Sequence, residues 1–297
     1  MRAEGGSGRQ RPIPPRVKDA YRHCRRRATA HYENFPVASW LLPRHLRGPV
    51  AAIYCFARDA DDLADEDPRP LAARRADLLA MQERVEILED PAAEHEPEWI
   101  ALADTRARFD LPAEPFRDLI DAFLQDLEQT RYASFGELMD YCRRSANPVG
   151  RLMLHLDGEP TESMLGYSDA ICSALQLINF YQDLQQDLRE NNRIYLPQDE
   201  MDQYGVTEAM LAAGQSSFQL RNLMQFQYAR ADRLLRAGAP LGGLLRGRMG
   251  LEIRAIINGG ARILWRLRQQ DDVFARPRLR ARDVWVILAH SLRPRRR

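Results

Sequence analysis

Residues 174–187 read ALQLINFYQDLQQD, a stretch in which apolar side chains recur at the spacing of a helix. Its polar residues Gln176, Asn179, Asp183 and Asp187 follow one another by three, four and four positions, so on a helix they form a single line. Polar groups on an otherwise apolar helix are costly to bury unless they meet a partner. The stretch therefore predicts a long helix whose polar line faces a cation or a ligand.

The rest of the chain is organised in the same way. Apolar residues recur at helical spacing, prolines separate the segments, and alternating β-branched runs are nearly absent, so the chain is predicted to be all-α. The predicted helices are 17–33, 44–66, 69–88, 96–109, 113–130, 135–157, 163–190, 207–213, 217–237, 241–270 and 281–292. Residues 1–16, rich in Gly, Arg and Pro, are predicted to be a disordered leader. Residues 17–297 are predicted to form one helical bundle around a central cavity.

Composition excludes several classes of function. The 43 basic and 42 acidic residues among 297 give a formal net charge of +1, which argues against a protein that binds nucleic acid over its whole surface. Lys18 is the sole lysine, so enzymes built on a P-loop or Schiff-base lysine are excluded. The four cysteines are widely spaced, with no C-x-x-C pair, and indicate neither a zinc site nor a disulfide framework.

Hydropathy and charge also bear on location. No stretch approaches the roughly 20 apolar residues that span a bilayer, and the first residues contain no signal-peptide core. We therefore expect a cytoplasmic protein, peripheral at most to the inner face of the cell membrane. The arginine-rich leader and the arginines of 293–297 are the segments expected to meet anionic lipid headgroups.

A second charged stretch, YCFARDADDLADE at 54–66, has a similar arrangement. On a helix, Tyr54, Arg58, Asp61 or Asp62, and Asp65 share one stripe. Alone, such a run is usually a solvated acidic helix end. Paired with the polar line of 174–187, it favours two facing helices whose carboxylates bind Mg²⁺, and through Mg²⁺ a diphosphate. The chain contains no E-x-x-H, so a di-iron bundle is not supported.

The two aspartate motifs, Asp61-Asp62-x-x-Asp65 and Asp183-x-x-x-Asp187, resemble those of the squalene/phytoene synthase family. Other stretches stand in the order and spacing of further signatures of that family: HYENFPVAS at 31–39, YCRRSANPVG at 141–150 and RIYLP at 193–197. The resemblance extends from about residue 20 to about residue 270.

The resemblance implies an isoprenoid-synthase fold and a role for each matching residue. The five motif aspartates would hold two or three Mg²⁺ ions through the substrate diphosphate, and Tyr54, Tyr141 and Tyr195 would line the reacting end. The implied substrate-binding residues are His31, Asn34, Phe35, Arg58, Ala146, Val149, Gly150, Gln176, Asn179 and Arg193. These residue types suit the chemistry, because cations stabilise a departing diphosphate and aromatic faces stabilise the carbocation left behind.

Within the family, the sequence is most similar to the bacterial branch that converts presqualene diphosphate to hydroxysqualene. Four positions differ from the wider family: Gln182, Arg143, Ser145 and Asn192. They predict a more polar pocket, which suits capture of the cation by water. The chain contains no G-x-G-x-x-G, so we expect no NADPH.

Two alternatives stay open from the sequence. One is condensation of two farnesyl diphosphates to presqualene diphosphate or squalene, because paired aspartates serve both reactions. The other is a non-catalytic helical assembly protein of the same family, which the retained aspartates disfavour because unused buried carboxylates are costly.

Overall fold

A computed structural model describes residues 13–30 and 41–292. Within these ranges the chain is helical and forms no strand, so the all-α prediction is confirmed. The helices are α1 (Pro15–Ala30), α2 (Arg47–Asp65), α3 (Leu71–Glu86), α4 (Pro97–Phe109), α5 (Glu114–Asp126), α6 (Phe135–Ser145), α7 (Asn147–Asp157), α8 (Glu162–Asn191), α9 (Gln198–Tyr204), α10 (Glu208–Ala212), α11 (Phe218–Gly238), α12 (Leu241–Leu244), α13 (Gly247–Gln269) and α14 (Ala281–Leu292).

Helix α8, 30 residues long, is the central element of the bundle and carries the polar line found in the sequence. The Thr161 hydroxyl accepts a hydrogen bond from the Met164 backbone N–H and so caps its first turn. Asn192 ends the helix in the left-handed conformation, which asparagine tolerates better than most residues. Apolar residues of α8 pack against α7, α11 and α13, so three neighbouring helices hold α8 in place.

A smaller apolar cluster joins α1, α2 and α4. Cys24 and Cys55 are buried in it, as small apolar side chains are. The Tyr21 hydroxyl donates to the Asp104 carboxylate at 2.6 Å, which satisfies the polar end of a buried ring. This cluster holds the middle of α2 and thereby sets the orientation of the aspartates at its C-terminal end.

Several predicted boundaries are wrong, each for a local reason. Helix α1 already includes Pro15 and Arg16, assigned above to the leader, because proline suits the first helical turn. The predicted helix 135–157 breaks at Ala146, because Pro148 offers no N–H and its ring crowds the preceding turn. The predicted helix 241–270 is interrupted before Gly247, whose φ of 58° turns the chain.

Helix α9 is absent from the predicted set, because its seven residues are polar apart from Met201 and Tyr204 and so show no apolar stripe. None of the helices in the described ranges has the length and apolar character needed to cross a bilayer.

Candidate active site

The last turns of α2 present the first aspartate motif together with an internal cation. Arg58 reaches Asp62 at 2.6 Å, Asp61 at 3.1 Å and Glu66 at 2.5 Å. Removal from water raises the pKa of Asp61 to about 6, and the neighbouring carboxylate of Asp65 adds to the rise. One guanidinium therefore does not offset the crowded negative charge, and this end of α2 favours additional cations.

Arg193 holds the third carboxylate of that motif. Its guanidinium forks onto Asp65 with contacts of 2.6 and 2.9 Å, and also donates to the Asp126 carbonyl at 2.9 Å. Arg193 is itself buried, so this bidentate pair is shielded from water. The sequence predicted Arg193 as a substrate-binding residue and Asp65 as a metal ligand, and the structure adds the direct pair between them.

The second aspartate motif lies at the C-terminal end of α8, close to the first. Burial and, next, the nearby Asp183 raise the pKa of Asp187 to about 7. Asp65 also raises this pKa, whereas Arg193 lowers it. The backbone N–H of Arg193 donates to the Asp187 carbonyl at 3.0 Å, so the left-handed turn at Asn192 directs Arg193 back towards the site. Carboxylates from the two helices thus influence each other around one arginine.

Asp183 has a cationic partner that the sequence did not predict. Arg276, from the segment between α13 and α14, pairs with Asp183 through its Nε and donates from Nη2 at 3.1 Å. Its Nη1 donates to the Gln186 side chain at 3.0 Å, and Gln182 donates to the Pro277 carbonyl at 2.7 Å. The segment 276–277 is therefore bound to the second motif. The two residues are 93 positions apart in the sequence, so no local pattern predicts their contact.

The donor set fits Mg²⁺ held jointly with a phosphorylated substrate. Among the described residues, no three acidic, histidine or cysteine side chains converge into a ready-made metal site. Mg²⁺, however, is usually bound by one or two carboxylates together with substrate phosphates. The pairs Asp61/Asp62 and Asp183/Asp187 offer such ligands from two helices.

Stacked aromatic rings lie beside this charged region. The rings of Phe180 and Tyr195 stack at 3.7 Å, Tyr141 lies 5.8 Å from Tyr195, and Tyr132 lies 5.6 Å from it. The sequence predicted Tyr141 and Tyr195 and missed Phe180 and Tyr132. Tyr54, predicted with them, packs instead against the α1, α2 and α4 cluster.

A buried carboxylate accompanies these rings. Asp126 accepts a hydrogen bond from the Tyr141 hydroxyl at 2.8 Å, and burial raises its pKa to about 7. Within the described residues, neither its second oxygen, Oδ1, nor the buried Tyr132 hydroxyl has a hydrogen-bond partner. The Tyr132 ring lies 5.4 Å from the ring of Tyr141, whose hydroxyl donates to Asp126. Burial raises the pKa of Tyr132 most, and the Tyr195 and Asp126 side chains add to the rise. Buried polar atoms of this kind call for a water or a ligand.

The small residues predicted to admit prenyl chains lie on α7 and just before it. Val149 and Gly150 line an apolar cavity of about 40 Å³, with walls from α7, α8, α12 and α13. Ala146 is buried at the junction of α6 and α7. The methionines Met153 and Met249 in the walls are flexible side chains that can rearrange around an apolar guest.

The remaining predicted residues are located as follows. Gln176 and Asn179 are half-buried on α8. His31, Asn34 and Phe35 lie outside the described residues.

The four departures from the wider family have different environments. Arg143 pairs with Asp140 at 3.1 Å and is 52% exposed, so its predicted contribution to a polar pocket is wrong: the helical turn of α6 directs it to the surface. Asn192 serves as the left-handed cap. Gln182 binds the 276–277 segment. The Ser145 hydroxyl is buried and has no hydrogen-bond partner among the described residues. Of the four departures, Ser145 is the one consistent with the predicted polar pocket.

Comparison with known proteins gives one consistent result. Residues 28–284 match the squalene/phytoene synthase family. A hydroxysqualene synthase of Rhodopseudomonas palustris is 37% identical over 253 residues, which are 84% of each chain. A 15-cis-phytoene synthase of Synechococcus elongatus is 34% identical over 231 residues, 72% of this chain and 73% of that protein.

Solved structures agree with these matches. The squalene synthase HpnC from Alicyclobacillus acidocaldarius superposes with a TM-score of 0.80 at 36% identity, covering 87% of this chain and 97% of that one. A dehydrosqualene synthase crystallised with a ligand has the same TM-score at 23% identity, covering 93% and 96% of the two chains, and shows the shared fold.

Proposed function

This chain belongs to the squalene/phytoene synthase family, and from that premise we propose that it converts presqualene diphosphate to hydroxysqualene and diphosphate. Relatives named hydroxysqualene synthase, matched over most of their length, support this choice within the family. The observation that carries it is a pair of buried polar atoms beside the aromatic rings, Asp126 Oδ1 and the Tyr132 hydroxyl, which have no hydrogen-bond partner among the described residues.

The first step is departure of the diphosphate. Family members process prenyl diphosphates and generally depend on a metal. In this chain the ligands would be Asp61, Asp62, Asp65, Asp183 and Asp187, for two or three Mg²⁺ ions bound with the diphosphate. When bound, Mg²⁺ supplies positive charge that stabilises the departing diphosphate in the transition state. Arg58 adds a fixed cation at the same place.

Substrate positioning is assigned to the polar residues around the aspartates and to the apolar cavity. Gln176, Asn179 and Arg193, with His31, Asn34 and Phe35, would surround the diphosphate end. Ala146, Val149 and Gly150 would accommodate the prenyl chains. Tyr141 and Tyr195 would face the reacting carbons, where aromatic faces stabilise positive charge.

The last step is capture of the rearranged carbocation by water. A water between Asp126 Oδ1 and the Tyr132 hydroxyl would satisfy both atoms. Its oxygen forms the new bond to carbon, and one of its protons passes to the Asp126 carboxylate. A pKa of about 7 suits a group that accepts a proton near neutral pH and then releases it.

The proposal includes peripheral contact with the inner face of the cell membrane, since substrate and product both dissolve in lipid. It includes neither NADPH nor a nucleic-acid partner.

The test is turnover of presqualene diphosphate with Mg²⁺ in ¹⁸O-labelled water, with and without NADPH, followed by mass spectrometry. We expect labelled hydroxysqualene in both incubations. Squalene formed only when NADPH is present would contradict the proposal. Consumption of farnesyl diphosphate with no turnover of presqualene diphosphate would instead favour the condensing reaction.

A further inference from the structure

Helix α14 packs on α13 through a stripe that is largely polar. Asp283, Ile287 and Ser291, spaced by four residues, are its buried positions. Arg262 and Arg266 of α13 pair with Asp283 at 2.8 and 2.6 Å, and Asn258 donates to the Ser291 hydroxyl at 2.9 Å. Two polar anchors therefore fix the rotation of α14 about its axis.

A second side of α14, adjacent to this stripe and here called its outer face, is apolar. Its exposed residues are Val284, Trp285 and Leu292, with the half-buried Leu288 between them, and these four fall within one arc of the helix. Trp285 is 75% exposed, Leu292 is 68% exposed, and Val284 is 48% exposed. A surface helix of a water-soluble protein normally turns its apolar side inward. In α14 two of the three buried positions are polar, and an apolar surface stays uncovered.

Positive charge flanks the outer face along the chain. Arg278, Arg280 and Arg282 precede or begin the helix and are exposed. Asp283, the one acidic residue between positions 276 and 297, is buried against two arginines. Beyond Leu292 the sequence continues with Arg293, Pro294 and three further arginines, which lie outside the described residues.

We infer that the outer face of α14 is a docking surface for an anionic lipid bilayer. A helix with an apolar face containing tryptophan and with arginines at its ends lies in the bilayer interface, where the apolar side chains enter the acyl boundary and the arginines meet lipid phosphates. An exposed apolar face alone would suit many partners. The neighbouring arginines, with no exposed acidic residue among them, select an anionic surface.

Docking there would bring the second aspartate motif towards the lipid. The segment 276–277, four residues before α14, is bound to Asp183 and Gln182 of α8. A bilayer under α14 would therefore lie close to the proposed diphosphate site. The inference deepens the proposed peripheral membrane contact and does not depend on the catalytic step.

The test is sedimentation of the full-length protein with vesicles, without substrate or Mg²⁺. Vesicles of equal phosphatidylglycerol and phosphatidylcholine are compared with vesicles of phosphatidylcholine alone. The test variant is Trp285→Ser with Leu292→Ser, which changes exposed apolar groups and no charge. The matched control is Ile87→Ser with Phe218→Ser, which removes equally exposed apolar groups outside α14. A third variant, Arg280→Gln with Arg282→Gln, tests the charge.

We expect the wild type and the control to bind anionic vesicles, with binding that weakens as salt increases. The serine variant should bind at least about tenfold more weakly, and the glutamine variant should bind several-fold more weakly, both with unchanged melting temperature. Equal binding by the serine variant and the wild type, or no preference for anionic vesicles, would overturn the inference. So would a dimer that the serine variant abolishes without a change in vesicle binding, because the outer face would then be a self-association surface. Since no turnover is measured, an inactive enzyme leaves this result intact.

Discussion

Asp126 is a buried carboxyl group with a raised pKa and a phenol partner, and its Oδ1 has no hydrogen-bond partner in the described part of the chain. Asp126→Asn keeps the size of the side chain and an acceptor for Tyr141, but removes the base. General-base help is typically worth about 10²–10⁴ in rate, so we expect the share of hydroxylated product to fall at least about tenfold in favour of other C30 products. Product ratios by mass spectrometry measure this. Asp118→Asn, on the same helix and also with a pKa raised by burial, should keep the wild-type ratio; an unchanged ratio in Asp126→Asn would remove its assigned role.

Asp187 makes a pH-dependent contribution to stability in the metal-free protein. Its pKa is about 7 in the folded chain against an ordinary value of 3.8. Between these values the folded protein keeps a proton that the unfolded chain has released, so this contribution favours folding at low pH and is lost as the pH rises through about 7. Asp187→Asn should therefore gain stability over the wild type at pH 8 and gain little at pH 4. Urea unfolding in EDTA at both pH values measures the difference; an equal gain at both would contradict the assigned pKa.

At the scale of single residues, the sequence indicates which residue types suit a reaction better than it indicates which residues contact each other. The aspartates stand out because their type and spacing suit Mg²⁺ and a diphosphate, whereas Tyr141 and Tyr195 were predicted only from the resemblance to the family. The pair of Asp65 with Arg193 joins residues 128 positions apart, and spacing along the chain carries no information about such a contact. Arg143 shows the reverse error: a departure from the family pattern suggested a function, but the side chain lies on the surface.

Among elements, the contact between the 276–277 segment and α8 has a measurable effect on metal binding. Arg276 supplies a cation to the Asp183 carboxylate, which a metal would also use. Arg276→Gln should therefore tighten Mn²⁺ binding several-fold in the absence of substrate, because a competing ion pair is lost. Electron paramagnetic resonance of free Mn²⁺ measures it. Arg280→Gln, exposed in the same stretch of chain, is the control, and equal Mn²⁺ affinity in Arg276→Gln and wild type would show that no competition exists.

The packing of α7 against α8 depends on one glycine. A methyl group at Gly150 would overlap Ser168 Oγ and Cys172 Sγ of α8, so Gly150→Ala should cost about 1–3 kcal/mol of unfolding free energy. Gly166, exposed within α8, has open space around it. Gly166→Ala should add up to about 1 kcal/mol through helix propensity. Urea titration of both variants measures the contrast; a neutral Gly150→Ala would mean that the two helices separate easily.

The sequence predicted most of the helices, but it did not predict where the long periodic segments break. The long periodic segments were found because many turns repeat the same pattern, whereas the seven residues of α9 contain too few apolar side chains to show one. The breaks at Ala146 and before Gly247 depend on one proline and one turn inside segments that otherwise stay periodic. The burial of Asp283 and Ser291 of α14 had no sequence signal either, because the periodicity of a helix alone does not tell which face will be buried.

At the scale of the whole molecule, the site is divided between α2 and α8, so a ligand that bridges them should stabilise the entire bundle. Mg²⁺ with inorganic pyrophosphate is such a ligand, because the carboxylates of both motifs carry excess negative charge that pyrophosphate alone would worsen. A ligand at 100 times its Kd that binds only the folded state adds about 2.7 kcal/mol, which for a chain of this size corresponds to a rise of roughly 5–10 °C in Tm. We expect that rise in Tm with both components, little with Mg²⁺ alone, and none with pyrophosphate in EDTA.

Asp183→Asn should abolish the joint effect of Mg²⁺ and pyrophosphate. Asp110→Asn, at the left-handed end of α4 where asparagine is tolerated, should preserve it. Stabilisation by pyrophosphate in EDTA would mean that the arginines bind it unaided and that the two aspartate motifs do not share a metal.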